Sequence, residues 1–272
     1  MKDLKIVSFN IRCDFGQDGE NVFSRRKPGI TKKINDERPD IICFQEVLPH
    51  VGAWLKCEFP EYILLGCHRS AALGDEATSI LIKKQRFDVI AADTFWLSPT
   101  PNIPGSRFDK NAMQSECPRA VTEALLFDTA PGCALRVMSL HLDHMGARVE
   151  QLRVIFERIS QMKLLPDVPL ILAGDFNADA SDPETPEGHE MANHPEFVCA
   201  TKGTGGTFHE YGKRCDKIDF IFLRDAREQS RLCRGLRPLG ECELWRDEHD
   251  GVWLSDHYPV AARFEWSGAG EN

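Results

Sequence analysis

The chain has 272 residues, 42% hydrophobic and 28% charged, with a formal net charge of −9. That much apolar material buries a large core, and the length permits one or two domains. The acidity argues against a broad duplex-binding face, because affinity for nucleic acid rests largely on cation–phosphate contacts. No apolar run approaches membrane-spanning length and no leader precedes the first strand, so a cytoplasmic protein without a membrane anchor is expected.

In chain order, strands are predicted at 4–9, 40–45, 61–66, 78–84, 86–96, 120–128, 133–141, 168–174, 217–223 and 258–265. The first, KIVSFN, alternates and ends in Asn10. A helix is predicted within Gly29–Glu37, stopped before Pro39, and another from about Pro49. Val149, Leu152, Ile155, Phe156 and Ile159 recur at helical spacing, and Pro166 ends that helix. This periodicity supports an α/β or α+β class. No linker divides the chain, so residues 1–266 read as one domain and 267–272 as a disordered tail.

Three regions interrupt the pattern. Thr94–Arg119 reads as an ordered loop, Ala178–His194 as an acidic, Pro-rich loop with one helical turn, and Leu232–Trp253 as an insertion able to form a substrate rim. The clusters Arg25-Arg26-Lys27, Lys32-Lys33 and Lys83-Lys84-Gln85-Arg86 read as solvated faces, and Asp247-Glu248-His249-Asp250 as a solvated loop. The ten cysteines are scattered without a C-x-x-C pair, which favours free thiols; Cys233 and Cys242 are the pair to expect under oxidising conditions.

The chemistry lies at strand ends. LILAGDFN runs from a buried strand into Asp175 and Asn177, IICFQE ends in Gln45-Glu46, and LRVMSLHLD places His141 at the end of a strand. KIDFIF carries Asp219 in an apolar strand, and LSDHYPV sets Asp256-His257 before the last one. Each alone is equally a cap, turn or satisfied core residue, but a buried carboxylate without a partner is costly, and five such sites together point to a function. Carboxylate and carboxamide oxygens are hard ligands suited to Mg2+ or Mn2+ rather than zinc. With two histidines beside them, metal-assisted phosphoester hydrolysis is the fitting reaction. There is no G-x-S-x-G elbow and no phosphate loop of the G-x-x-x-x-G-K type.

Asn10, Gln45-Glu46-Val47, His141-Leu142, Gly174-Asp175-Phe176-Asn177, Asp219 and Ser255-Asp256-His257, in this order along nearly the whole chain, resemble the endonuclease/exonuclease/phosphatase (DNase I-like) family. The resemblance implies a four-layer αββα sandwich of two packed mixed sheets. It implies that Glu46 binds the principal metal with Asn10 and Asp256 close by. Asp175 would orient the attacking water, Asn177 would bind the phosphate, and Asp219 would hold the catalytic His257. His141 would be a second catalytic histidine partnered by Glu76. Arg119, at the start of a predicted strand, is a candidate for the substrate phosphate.

The expected activity is a Mg2+-dependent phosphoesterase on a compact substrate such as a sugar phosphate. A nuclease acting on short single-stranded nucleic acid is the alternative, and a non-catalytic binding protein a weaker one, since every motif residue is present. Monoester and diester hydrolysis both stay open. Neither an extended duplex surface, a membrane nor a protein partner is expected.

Overall fold

Alternation along the first strand, β1 (Leu4–Asn10), sends Leu4 and Ile6 into one apolar layer and Val7 and Phe9 into another, and both are buried. The computed structural model, which describes residues 3–161, 168–226 and 234–267, shows what covers each face. The chain continues through α1 (Phe23–Glu37), β2 (Ile41–Val47), α2 (Pro49–Glu58), β3 (Tyr62–Leu65), β4 (Ala77–Lys83) and β5 (Phe87–Trp96). Then come β6 (Ala120–Asp128), β7 (Cys133–His141), α3 (Arg148–Gln161), β8 (Leu170–Asp175), α4 (Pro186–Ala192) and β9 (Phe197–Cys199). β10 (Asp219–Arg224), β11 (Leu236–Leu244), β12 (Glu248–His249), β13 (Val252–Trp253) and β14 (Val260–Trp266) complete it.

Two 6-stranded sheets form, ordered β11-β14-β1-β2-β4-β3 and β5-β6-β7-β8-β10-β9. Each has one parallel pair at its centre, β1 with β2 and β7 with β8, and antiparallel pairs outside it. The halves therefore repeat one pairing pattern, although no repeat is visible in the sequence. Leu4, Ile6, Ile41, Ile80 and Ile82 of the first sheet meet Leu126, Leu135, Val137, Ile171 and Ile221 of the second in the central layer. Phe23, Ile30, Ile34, Val51 and Leu55 of α1 and α2 cover the first sheet, while Leu152, Ile155, Phe156 and Met191 of α3 and α4 cover the second. The result is the expected αββα sandwich. No helix among the described residues is long and apolar enough to cross a membrane.

Several boundaries differ from expectation. α1 starts at Phe23 and carries Pro28 inside it. Pro28 removes one helical hydrogen bond, but the first turn is anchored from outside. The Phe23 ring packs edge-on to Trp54 at 5.2 Å, and buried Arg26 donates to the carbonyls of Asn21, Ile11, Arg12 and Leu254. Arg26 is thus no solvated residue, and neither is Arg86, which is buried between Asp40 and Asp128. The described part of the Leu232–Trp253 region is not a loose insertion: β11 forms the edge of the first sheet against β14, and β12 pairs with β13 in a hairpin. Its edge position, solvated charges and bulge between Leu239 and Glu243 hid the strand alternation. Pro166, Cys233 and the tail from residue 268 lie outside the described residues, and Cys242 has no disulfide partner among the described ones.

Candidate active site

The phase of the strands builds the site. On β1, Leu4, Ile6 and Asn10 share a face; on β7, Leu135, Val137 and His141; on β8, Ile171, Ala173 and Asp175; on β10, Asp219, Ile221 and Leu223. The polar members are continuations of the central apolar layer, delivered to one end of it. Register then sets neighbours side by side, pairing Asn10 with Gln45, His141 with Asp175, and Asp175 with Asp219. Gly174 permits the approach of β7, since a Cβ there would lie 2.0 Å from the Leu140 carbonyl oxygen. Glu46 follows a different rule. Its left-handed backbone (φ 63°) and the β2–β4 register shift break the alternation, and its side chain lines the cleft. Such a conformation costs on the order of 1–3 kcal/mol and is held by its surroundings.

The cleft has a volume of about 900 Å³ and is lined by Glu46, Glu76, Arg119, His141, Asp175, Asn177, Asp256 and His257 among others. Asp175 is its point of convergence. Its Oδ2 accepts from Asn10 Nδ2 at 3.1 Å and lies 3.5 Å from His141 Nε2 and 3.9 Å from His257 Nε2, while Oδ1 accepts from the Asn177 amide at 2.8 Å. Burial, then the neighbouring Asp219 charge, raises the Asp175 carboxyl to about 7. His257 Nδ1 bonds Asp219 Oδ2 at 2.8 Å. A carboxylate only accepts, so Nδ1 carries the proton and Nε2 faces Asp175. Burial opposes charging His257, but Asp219, Asp175 and Asp256 outweigh it and raise the imidazole to about 10. His141 goes the other way: burial and then the positive Arg119 and Arg69 hold it well below the ordinary histidine range. Asn177 Nδ2 donates to the Leu142 carbonyl at 2.9 Å, which leaves its second N–H for a ligand.

Two of the expected site residues have partners within the protein. Asn10 lies beside Glu46: Nδ2 donates to Glu46 Oε1 at 3.0 Å and to Asp175, while Oδ1 accepts the Arg12 amide at 3.0 Å. Glu76 lies in the same cleft as His141, but its carboxylate is paired with Arg69 Nη1 at 2.9 Å. Burial, then the Glu46 charge, raises Glu76 to about 7. Arg119 is buried; its Nε faces Asp143 at 3.4 Å, its Nη2 meets His144 Nδ1 at 3.0 Å, and Nη1 has no hydrogen-bond partner among the described residues. Sequence reasoning missed Arg12, whose Nε lies 3.5 Å from Asp256 Oδ2, and Arg69. Arg12 stands two residues after Asn10, in the same turn off β1, and that proximity was the available signal.

The carboxylates of Glu46 and Asp256 are oxygen donors of the kind a hard divalent cation takes. Both line the cleft, and burial and the Glu46 charge push the Asp256 carboxyl up despite nearby Arg12 and His257. Burial would likewise raise Glu46, but Asn10, the Cys13 amide and the charges of His257 and Arg12 hold it ionised, below the usual range. Beside Glu46 and Glu76, the Cys13 thiol is pushed up by burial and by these carboxylates, which leaves carboxylate oxygens as the charged donors of the cluster. That favours magnesium or manganese over softer metals.

A sandwich with buried carboxylates, a carboxylate-bound histidine and a carboxamide at one end of its central layer defines a phosphoester hydrolase. The chain belongs to the Endonuclease/Exonuclease/phosphatase family, whose profile matches residues 7–257. It is similar to the endonuclease/exonuclease/phosphatase from Bacteroides vulgatus, at 27% identity and a TM-score of 0.84, covering 98% of this chain and 100% of that one. It is also similar to the Bacteroides thetaiotaomicron mannosyl-6-phosphatase, at 23% identity and a TM-score of 0.81, covering 96% and 99%. D. rerio TDP2 complexed with a single-strand DNA product matches at 20% identity and a TM-score of 0.72, covering 97% and 100%. Among curated proteins no sequence match is found.

Proposed function

We propose that the protein hydrolyses a compact phosphorylated substrate, such as a sugar phosphate, with Glu46 and Asp256 holding Mg2+ or Mn2+. The convergence of Asn10, His141 and His257 on Asp175 Oδ2 carries this reading. When bound, the cation supplies neutralisation of charge on the phosphoryl oxygens. Asp175 orients the attacking water and accepts its proton, a task suited to a carboxyl raised to about 7. His257, charged and held by Asp219, stabilises negative charge developing on the phosphoryl group. Asn177 donates to a phosphoryl oxygen from the side chain that Leu142 anchors.

A compact substrate is favoured by the chain's net charge of −9 and by a cleft with acidic and basic walls. The structural relative named as a mannosyl-6-phosphatase supports a sugar phosphate. Similarity to a protein holding a single-strand DNA product supports the second reading, a nuclease on short single strands. Phosphate release with Mg2+ or Mn2+ should be measured on sugar phosphates, nucleotides and short single strands, beside plasmid cleavage, across salt concentrations. The first reading requires turnover of a small phosphate with a shallow salt dependence. Efficient plasmid cleavage with a steep salt slope, and none on small phosphates, overturns it.

A further inference from the structure

The pair formed by Asp219 and His257 comes from segments far apart in sequence, and one buried residue on a third segment touches the backbone of both. Thr207 is 0% exposed. Its Oγ1 accepts the amides of Ile218 and Asp219, both at 3.1 Å, where β10 begins. Its carbonyl accepts the amide of Tyr258 at 2.8 Å, the residue after His257. The chain then continues the brace. Phe208 forms a bridge with His257 and sets its ring 4.8 Å from the imidazole. The amides of His209 and Glu210 donate to the Asp256 carbonyl at 2.9 and 3.1 Å.

Asp219 depends on this brace. Its Oδ2 bonds His257, whereas its buried Oδ1 has no hydrogen-bond partner among the described residues. With no second side-chain bond to the carboxylate among those residues, its placement follows from the backbone of Ile218–Asp219, which the Thr207 hydroxyl holds. From this juxtaposition we infer that Thr207 is a positioning residue that acts on turnover through Asp219 and His257. The inference rests on the catalytic role given to His257 above. Two observables separate them: the His257 Nδ1 proton reports the pair without any turnover, and turnover reports the catalytic role.

The test uses the full chain with Mg2+ and p-nitrophenyl phosphate, or bis-p-nitrophenyl phosphate if the diester is the one turned over. Thr207→Val keeps the branched shape but loses the acceptor; Thr207→Ser keeps the acceptor. Thr207→Val should lower kcat about 10- to 100-fold, a loss typical of disturbed acid–base geometry, with KM changed by less than about twofold. Thr207→Ser should restore most of the loss. The downfield proton resonance of His257 Nδ1–H should be present in wild type and Thr207→Ser, and shifted or broadened in Thr207→Val. In a His257→Ala background, Thr207→Val should have little further effect on kcat, because coupled residues are non-additive. An unchanged resonance in folded Thr207→Val, or full additivity with His257→Ala, overturns the inference. If Thr207→Val does not fold, equal losses in Thr207→Ser and Thr207→Ala do the same. If His257→Ala alone keeps native turnover, the catalytic reading fails while the resonance still decides the positioning of the pair.

Discussion

Asp175 and Asp219 stand directly opposite each other across antiparallel β8 and β10, and His257 lies between their carboxylates. Like charges facing across a sheet are destabilising. The pair is tolerated because the imidazole, raised to about 10 by both, supplies the compensating charge.

Removing one of these charges separates stability from activity. Asp175→Asn should lose turnover by at least about 100-fold, as expected for loss of a general base. With the metal chelated, the same variant should melt higher, by about 2–4 °C for each ~1 kcal/mol of relieved repulsion and desolvation. Activity assays and calorimetry in EDTA check this. An active variant, or one that melts well below wild type, contradicts the reading of Asp175.

Glu46 and Asp256 are proposed to hold the cation, and Asn10 to orient Glu46. Mg2+ should raise the melting temperature of the wild type with the logarithm of its concentration once it exceeds Kd, because it binds the folded state. Glu46→Gln should abolish this shift, and Asn10→Ala should weaken it. A metal-dependent shift that survives unchanged in Glu46→Gln would falsify the assignment.

Burial, Arg119 and Arg69 hold His141 well below the ordinary histidine range, so the role proposed for it is that of a neutral hydrogen-bond donor. His141→Gln should then slow hydrolysis of a sugar phosphate and of a p-nitrophenyl ester by similar factors, about tenfold or more. A general acid matters less when the leaving group needs no proton. A loss confined to the sugar phosphate would restore the acid role on the leaving side.

His209 is buried, stacks on Tyr258 at 4.0 Å, and is lowered to about 4 by burial and then by the charged His257. The unfolded chain binds a proton near pH 6.5 that the folded chain refuses until about pH 4. The neutral ring's contribution is therefore fully present above 6.5 and is lost as pH falls through that window. His209→Phe, which keeps a stacked ring, should flatten the fall in stability between pH 6.5 and 4 by on the order of 3 kcal/mol. Urea unfolding at intervals of half a pH unit measures it, and parallel curves for the two proteins would refute it.

Much of this was legible in the sequence because it is local. Alternation in KIVSFN and LILAGDFN assigns Asn10 and Asp175 to the faces that carry Ile6 and Ala173, and any register that buries those residues brings the polar ones to the same layer. Residue chemistry likewise indicated oxygen donors and an acid–base pair. Tertiary structure alone decided the partners. Glu76 meets Arg69 across a turn, and Asn10 points its nitrogen at two carboxylates because the Arg12 amide takes its oxygen. β11 declares itself only against β14, since an edge strand with one solvated side has a weak pattern. Thr207 is silent as a residue in a Gly-rich turn, and becomes a brace only when Asp219 and Tyr258 are folded onto it. Strand periodicity is written between neighbours two residues apart; hydrogen-bond competition among distant segments is settled only when packing brings their donors and acceptors within 3 Å or so of one another.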